Sequence, residues 1–164
     1  MPTTLDAPRI RRAVPDDADT LAALRWQFRA ELGEATEPRD AFQARCAAAM
    51  RADLSPGGRW TAWVAERDGA LVGNAWLQVI AKLPSPSSEA EAHGYISNVF
   101  VVPAARGAGI GRALVDAALA FCDGVPVHDV ILWPSERSRS LYRRAGFGST
   151  EDILSRRAAG GPDA

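Results

Sequence analysis

The chain has 164 residues, 47% of them hydrophobic and 24% charged, with 19 Lys and Arg against 20 Asp and Glu. That is a globular composition, and it is long enough to bury a core without disulfide or metal staples. A net charge of −1 supplies no global field for nucleic acid or an anionic membrane, so neither is an expected partner.

No apolar stretch approaches the roughly 20 residues of a membrane span. Residues 1–8 lack a basic segment leading into an apolar run, so no targeting peptide is read and the cytoplasm is the expected location. Cys46 and Cys122 stand far apart, outside any C-x-x-C spacing. Reduced thiols and no metal site are expected from them.

In chain order, residues 9–14 read as a short first strand. Pro15-Asp16-Asp17 then opens a helix, with Asp16 a suitable cap and acidic residues suited to the first turn. Leu21, Leu24, Phe28 and Leu32 form one apolar stripe along it, and Gly33 ends it. A second, alanine-rich helix is expected over about 40–52, broken by Ser55-Pro56-Gly57-Gly58. Two β-prone runs, 60–66 and 70–81, flank Arg67-Asp68-Gly69, a strong hairpin signal.

Residues 82–92 hold the loop Pro84-Ser85-Pro86-Ser87-Ser88, and 93–102 read as a strand halted by Pro103. Ile110, Leu114, Ala117, Ala118 and Phe121 mark a further helix. Residues 125–133 read as a buried strand, 135–145 as a short helix ended by Gly146, and 147–154 as a last strand. The tail from 158 is expected to fray. The order is β-α-α-β-β-β-α-β-α-β: a mixed α/β sheet flanked by helices, with an antiparallel front and a β-α-β crossover at the back. One domain over 1–157 is expected.

The most informative segment is Val99-Phe100-Val101-Val102-Pro103-Ala104-Ala105-Arg106-Gly107-Ala108-Gly109-Ile110-Gly111-Arg112. A strand ends, a glycine-rich turn follows and a helix begins. Such a junction aims the unsatisfied N–H groups of the first helical turn at one spot, and the helix dipole adds positive field. Glycine keeps side chains out of the way of an arriving phosphate, and Arg106 and Arg112 can add charge. No Gly-Lys-Ser/Thr follows, so this is not a Walker A loop, and the glycine spacing does not fit the dinucleotide fingerprint.

Arg106-x-x-Gly109-x-Gly111 after a Val-rich strand resembles the R/Q-x-x-G-x-G/A motif of the GCN5-related N-acetyltransferases, the GNAT superfamily. The element order is similar across nearly the whole chain. The resemblance implies acetyl-CoA as cosubstrate, with Val99, Phe100 and Val101 along its pantetheine arm. Gly107, Ala108, Gly109, Ile110, Gly111 and Arg112 would wrap its pyrophosphate. Leu141-Tyr142-x-x-x-Gly146-Phe147 is similar to the family's second signature, which implies that Tyr142 lies near the cofactor sulfur as general acid. A phenol near 10 facing a thiol near 8.5 leaves a gap of about two units, which hydrogen bonding can close. Many members carry Asn where this chain has Ser135. That serine could contact cofactor, but it suits a helix N-cap better.

An amine acceptor must lose a proton. The candidate bases are His93, with a suitable intrinsic pKa, and Glu91, with Glu89 beside them. Asn98 faces opposite Val99 and Val101 if the strand is regular, and it could orient water or acceptor. The family's strand often has a bulge here. The family's acceptor regions correspond here to Phe28, Glu31, Glu34 and Glu37 and to the loop 84–88. The three glutamates would favour a cationic amine. Trp26, Trp63, Trp76 and Trp133 could line a pocket, although most such residues are core.

The function implied is acetyl transfer to a primary amine of a small molecule or peptide, by direct attack in a ternary complex. The alternative is a catalytically degenerate acyl-CoA-binding sensor or interaction module. Dimers recur in the family, so a homodimer is among the assemblies implied.

Overall fold

Residues 7–156 are described in a computed structural model of the protein. The tail expected to fray, 158–164, lies outside them. The chain divides after Trp133 into two compact units, Met1–Trp133 and Pro134–Ala164.

In the first unit, β1 (Arg9–Arg12), β2 (Trp60–Arg67), β3 (Ala70–Ala81), β4 (Ala92–Val101) and β5 (Asp129–Ile131) form one sheet in sequence order. The first four are antiparallel neighbours, and β5 joins β4 in parallel. In the chain, α1 (Ala18–Glu31) and α2 (Arg39–Leu54) stand between β1 and β2, and α3 (Ile110–Asp123) between β4 and β5. Arg67 pairs with Ala70, so Asp68 and Gly69 form the expected two-residue hairpin loop, both at positive φ.

The helix entry differs from expectation in one residue. Asp17, not Asp16, closes the turn: its carboxylate accepts the Val14 N–H at 2.8 Å and two bonds from the Arg11 guanidinium at 2.8 and 2.9 Å. The Arg11 hydrogen bonds hold the Asp17 carboxyl below its usual range.

Each sheet face carries its own helices. Leu21 of α1 clusters with Ala62, Val64 and Trp76, with Met50 and Leu54 of α2 beside them. Burying a side chain such as Leu21 contributes about 1.5–3 kcal/mol. On the other face, Phe121 of α3 meets Trp63, and Cys122 lies against Gly94. The α3 stripe is buried at Ile110, Leu114, Val115, Ala118 and Cys122.

β4 is irregular. Asn74 pairs with Phe100 but Trp76 pairs with Ser97, so two β4 residues, Asn98 and Val99, oppose Ala75 alone. This is a β-bulge, and Asn98 takes φ 51° within it. The extra residue reverses the alternation. Ser97 and Phe100, three apart, share the α1 face, and Phe100 stacks on Phe28 of α1 at 5.3 Å. The regular strand expected for Asn98 is therefore not what forms.

Two other expectations change. The run 125–133 yields a strand of three residues, with Asp129 exposed and Val130 and Ile131 partly so. Val125 and Val127 instead make tight turns, their N–H groups donating to the Cys122 and Val125 carbonyls. Among the described residues β5 pairs with β4 alone, and none of its three residues is fully buried, so the burial on both faces expected for this run is not found. Residues 147–154 form no strand. Their polar side chains serve local bonds instead: the Asp152 N–H donates to Thr150 Oγ1 at 3.1 Å.

The second unit holds α4 (Arg139–Arg144), led in by a 3-10 turn over Glu136–Ser138. Its end explains half of the Leu-Tyr-x-x-x-Gly-Phe signature. Gly146 takes φ 94° and donates to the Arg143 carbonyl at 3.1 Å, while the Phe147 N–H reaches the Tyr142 carbonyl at 3.0 Å. This is a Schellman cap, and its accompanying apolar contact is the Tyr142–Phe147 ring pair at 5.8 Å.

Candidate active site

β4 and β5 pair only over His93–Tyr95 against Asp129–Ile131. Beyond Tyr95, β4 continues through the bulge to Val101 with no strand hydrogen-bonded on that side among the described residues. The edge is thus open to pairing by another extended chain at Val99 and Phe100, while the Val101 carbonyl accepts from Arg106 Nε. Val99 and Val101 are half-buried and Phe100 is buried.

The glycine turn stands at the end of this edge. Pro103–Ala105 forms one 3-10 turn, and Gly107 and Gly109 follow at φ 81° and 75°. An added Cβ at either would meet nothing within 4 Å, so glycine here answers a backbone requirement and leaves open space. Gly109 is the N-cap of α3, and the first helical bond runs from the Ala113 N–H to its carbonyl. Among the described residues, no N–H from Gly107 to Gly111 finds an acceptor. Open space, left-handed glycines and unengaged donors together fit a pyrophosphate.

The two arginines are engaged locally. Arg106 donates from Nε to the Val101 carbonyl at 2.8 Å and from Nη2 to Glu31 at 2.7 Å, and it lies over the Phe100 ring. Arg112 pairs with Asp116 one turn along α3 at 2.7 Å. An anion at this turn is therefore met first by backbone.

At the bulge a polar relay crosses the sheet. Asn74 is fully buried, and its Oδ1 accepts from Trp76 Nε1 at 3.1 Å and from Asn98 Nδ2 at 3.2 Å. An indole N–H can only donate, which fixes the Asn74 amide orientation. Asn98 must then present its own oxygen outward, and this accepts from Arg25 Nη1 of α1 at 3.1 Å. Sequence reasoning missed Arg25. The signal was available, because position 25 follows Leu21 by four and precedes Phe28 by three, inside the apolar stripe.

The expected bases do not join this group. The His93 ring is bonded through Nδ1 to Asp129, where β4 and β5 are still paired. That is five residues before Asn98, about 16 Å along a strand. Glu91 is exposed before β4 and accepts the Ser85 N–H at 3.0 Å. Glu89 faces Lys82 and His128.

The three helix-region glutamates are each met by an arginine: Glu31 by Arg106, Glu34 by Arg29 and Glu37 by Arg45. Trp63 and Trp76 are core and Trp26 packs on Phe42. Trp133 is 65% exposed and meets Tyr95 edge-on at 5.2 Å.

Within the second unit, Tyr142 is buried, and burial pushes its hydroxyl up to about 12. Ser135 stands at the expected N-cap, but its hydroxyl bonds that of Ser138 at 2.9 Å rather than a backbone amide. Among the described residues, no group of three or more His, Cys, Asp or Glu could hold a metal ion.

The family model described as "Acetyltransferase (GNAT) family" matches residues 20–147. The chain belongs to this family. Like a GCN5-related N-acetyltransferase from Ralstonia eutropha JMP134, it has the GNAT fold. The two superpose with a TM-score of 0.74 at 28% identity, covering 94% of this chain and all of that one. A mycothiol acetyltransferase of Cellulomonas flavigena is 38% identical over 91 residues, 53% of this chain and 26% of the relative. A glucosamine 6-phosphate N-acetyltransferase of Trypanosoma brucei brucei is 35% identical over 83 residues, 51% of this chain and 54% of the relative. The chain thus matches about a quarter to a half of these relatives' lengths. Among the described residues, no helix is long and apolar enough to cross a membrane.

Proposed function

We propose that this chain transfers the acetyl group of acetyl-CoA to a primary amine of a small molecule or peptide, both substrates being bound together. One observation carries the reading: among the described residues, the N–H donors of Gly107–Gly111 are unengaged and stand at the end of a β4 edge on which no strand pairs beyond Tyr95. Acetyl-CoA supplies an acyl group already activated as a thioester.

The chain's own part is to bind, orient and move protons. The turn Gly107, Ala108, Gly109, Ile110 and Gly111 holds the pyrophosphate by backbone, with Arg112 adding charge. Val99, Phe100 and Val101 hold the extended arm along the open edge. The Tyr142 hydroxyl donates a hydrogen bond toward the sulfur. Burial raises its pKa to about 12, so full proton transfer to a thiolate of pKa about 8.5 is uphill by about 3.5 units and depends on the negative charge developing there. Neither cysteine suits a covalent route: burial pushes both thiols up, which keeps them protonated and poorly nucleophilic. With His93 held by Asp129, no side chain is assigned as base, and the acceptor's proton leaves to solvent. The names of the relatives support a small-molecule amine as acceptor.

Calorimetry with acetyl-CoA and coenzyme A tests the binding half. Micromolar binding of both supports it, and absence of binding overturns the whole reading. Thiol release across an amine panel then tests transfer.

A further inference from the structure

Beside the bulge, on α1, stands a cation with no counter-charge among the described residues. Arg25 is half-buried on α1, and among the described residues it has no carboxylate within ion-pair distance. Its recorded contacts are one hydrogen bond, from Nη1 to Asn98 Oδ1 at 3.1 Å, and the Phe28 ring at 5.8 Å. Its neighbours include Arg29, Cys46 and Tyr95, so the surroundings are cationic or neutral. The carboxylates that could have answered it, Glu31, Glu34 and Glu37, are each held by another arginine. Burial lowers the Arg25 pKa from its ordinary value, as expected for a cation lacking a partner.

A charge withdrawn from water without a partner is destabilising unless something completes it. A guanidinium has five N–H donors in a planar fork that matches an oxyanion with two bonds. Here one donor is fixed by the relay from Trp76 through Asn74 and Asn98, which orients the fork at the bulge. We propose that Arg25 is the anchor for an oxyanion on the acceptor, so that the amine acetylated by this chain also carries a carboxylate or phosphate. This adds an anionic group to the cationic amine expected from the glutamates, and it rests on the acetyltransferase reading above.

The test compares matched acceptors that differ by the oxyanion alone: phenylalanine with phenethylamine, and glucosamine 6-phosphate with glucosamine. Coenzyme A release is followed with a thiol reagent, and acetyl-CoA affinity is measured in parallel by calorimetry. One charge-assisted bidentate contact should favour an anionic member by about tenfold to a hundredfold in kcat/KM. Whichever pair responds tells carboxylate from phosphate. In Arg25→Gln the preference should vanish through the acceptor's KM, with acetyl-CoA affinity and the circular dichroism spectrum unchanged. Arg25→Lys should retain part of it, and that variant also serves if Arg25→Gln does not fold.

Three results would overturn the proposal: equal or better use of the neutral members, a preference that survives Arg25→Gln, or turnover of no member by a chain that binds acetyl-CoA. Failure to bind acetyl-CoA at all would instead remove the acetyltransferase reading beneath it.

Discussion

Gly109, at the start of α3, and Gly146, at the end of α4, make the same demand on the backbone. Both take left-handed φ, 75° and 94°, and an added Cβ at either would meet nothing within 4 Å. Their surroundings differ. At Gly146 the nearby N–H groups are engaged, one to Arg143 and one to Tyr142, and a ring pair seals the cap. Around Gly109 the donors from Gly107 to Gly111 find no acceptor among the described residues. Engaged donors make a structural stop, whereas unengaged donors in open space make a place for an anion. What separates a binding glycine from a capping one is where the neighbouring hydrogen bonds go.

The largest expected effect breaks the comparison on the binding side. Gly109→Trp should abolish measurable acetyl-CoA binding, and with it all turnover, by filling the space before the donors. The chain should still fold, because the new ring enters solvent rather than core. Calorimetry and circular dichroism read the two together. A variant that binds normally would mean that the turn is only a turn.

Next in size is Tyr142→Phe, which divides the second signature into its two jobs. The ring stays, so the cap contact with Phe147 survives, and only the donor is lost. Turnover should fall by about 10²–10⁴, the range of one positioned acid, with acetyl-CoA affinity nearly constant. The pH profile sharpens this. With its pKa pushed up to about 12, the phenol keeps its proton throughout ordinary assay conditions. An alkaline limb caused by its loss should therefore appear near 12, not near 10. The same shift favours the neutral phenol in the folded state. Its contribution to stability is complete below about 10 and is lost as pH rises towards 12. A fall in kcat with an apparent pKa of about 9 would remove Tyr142 as donor.

Much of this was legible in the sequence because it is local. A Val-rich strand, Pro103, glycines and the α3 stripe specify a strand-turn-helix junction, and Asp68-Gly69 specifies a hairpin. The bulge was expected only through the family resemblance; its place was not legible in the residues, because it depends on the register between β3 and β4: one extra residue at Asn98 moves Phe100 onto Phe28. The partners of charges were not legible either. Glu31 meets Arg106 across 75 positions of sequence, which no spacing reveals. The same long-range pairing left Arg25 without a carboxylate. The strand expected over 147–154 does not form, because the β-propensity of a few side chains does not supply a neighbour to pair with.

A smaller effect lies on the structural side. Gly146→Ala forces a Cβ into left-handed backbone and should cost about 1 kcal/mol of stability. A lowered urea midpoint with unchanged acetyl-CoA affinity is the expected pair of results. Loss of affinity instead would mean that this cap also shapes the binding turn.

The smallest expected effect concerns Arg106, the first charge of the phosphate motif, whose guanidinium is already engaged. Its Nε holds the Val101 carbonyl and its Nη2 holds Glu31. If backbone donors carry the anion, Arg106→Gln removes a partly screened charge and one strut of the β4 end. Affinity for acetyl-CoA should then drop only about threefold to fivefold, the scale of an exposed ion pair. If the arginine instead leaves Glu31 to grip the anion directly, the drop should approach a hundredfold and the salt dependence of binding should flatten in the variant. A titration at two ionic strengths separates the cases, and with them a turn that binds through its backbone from one that binds through a borrowed side chain.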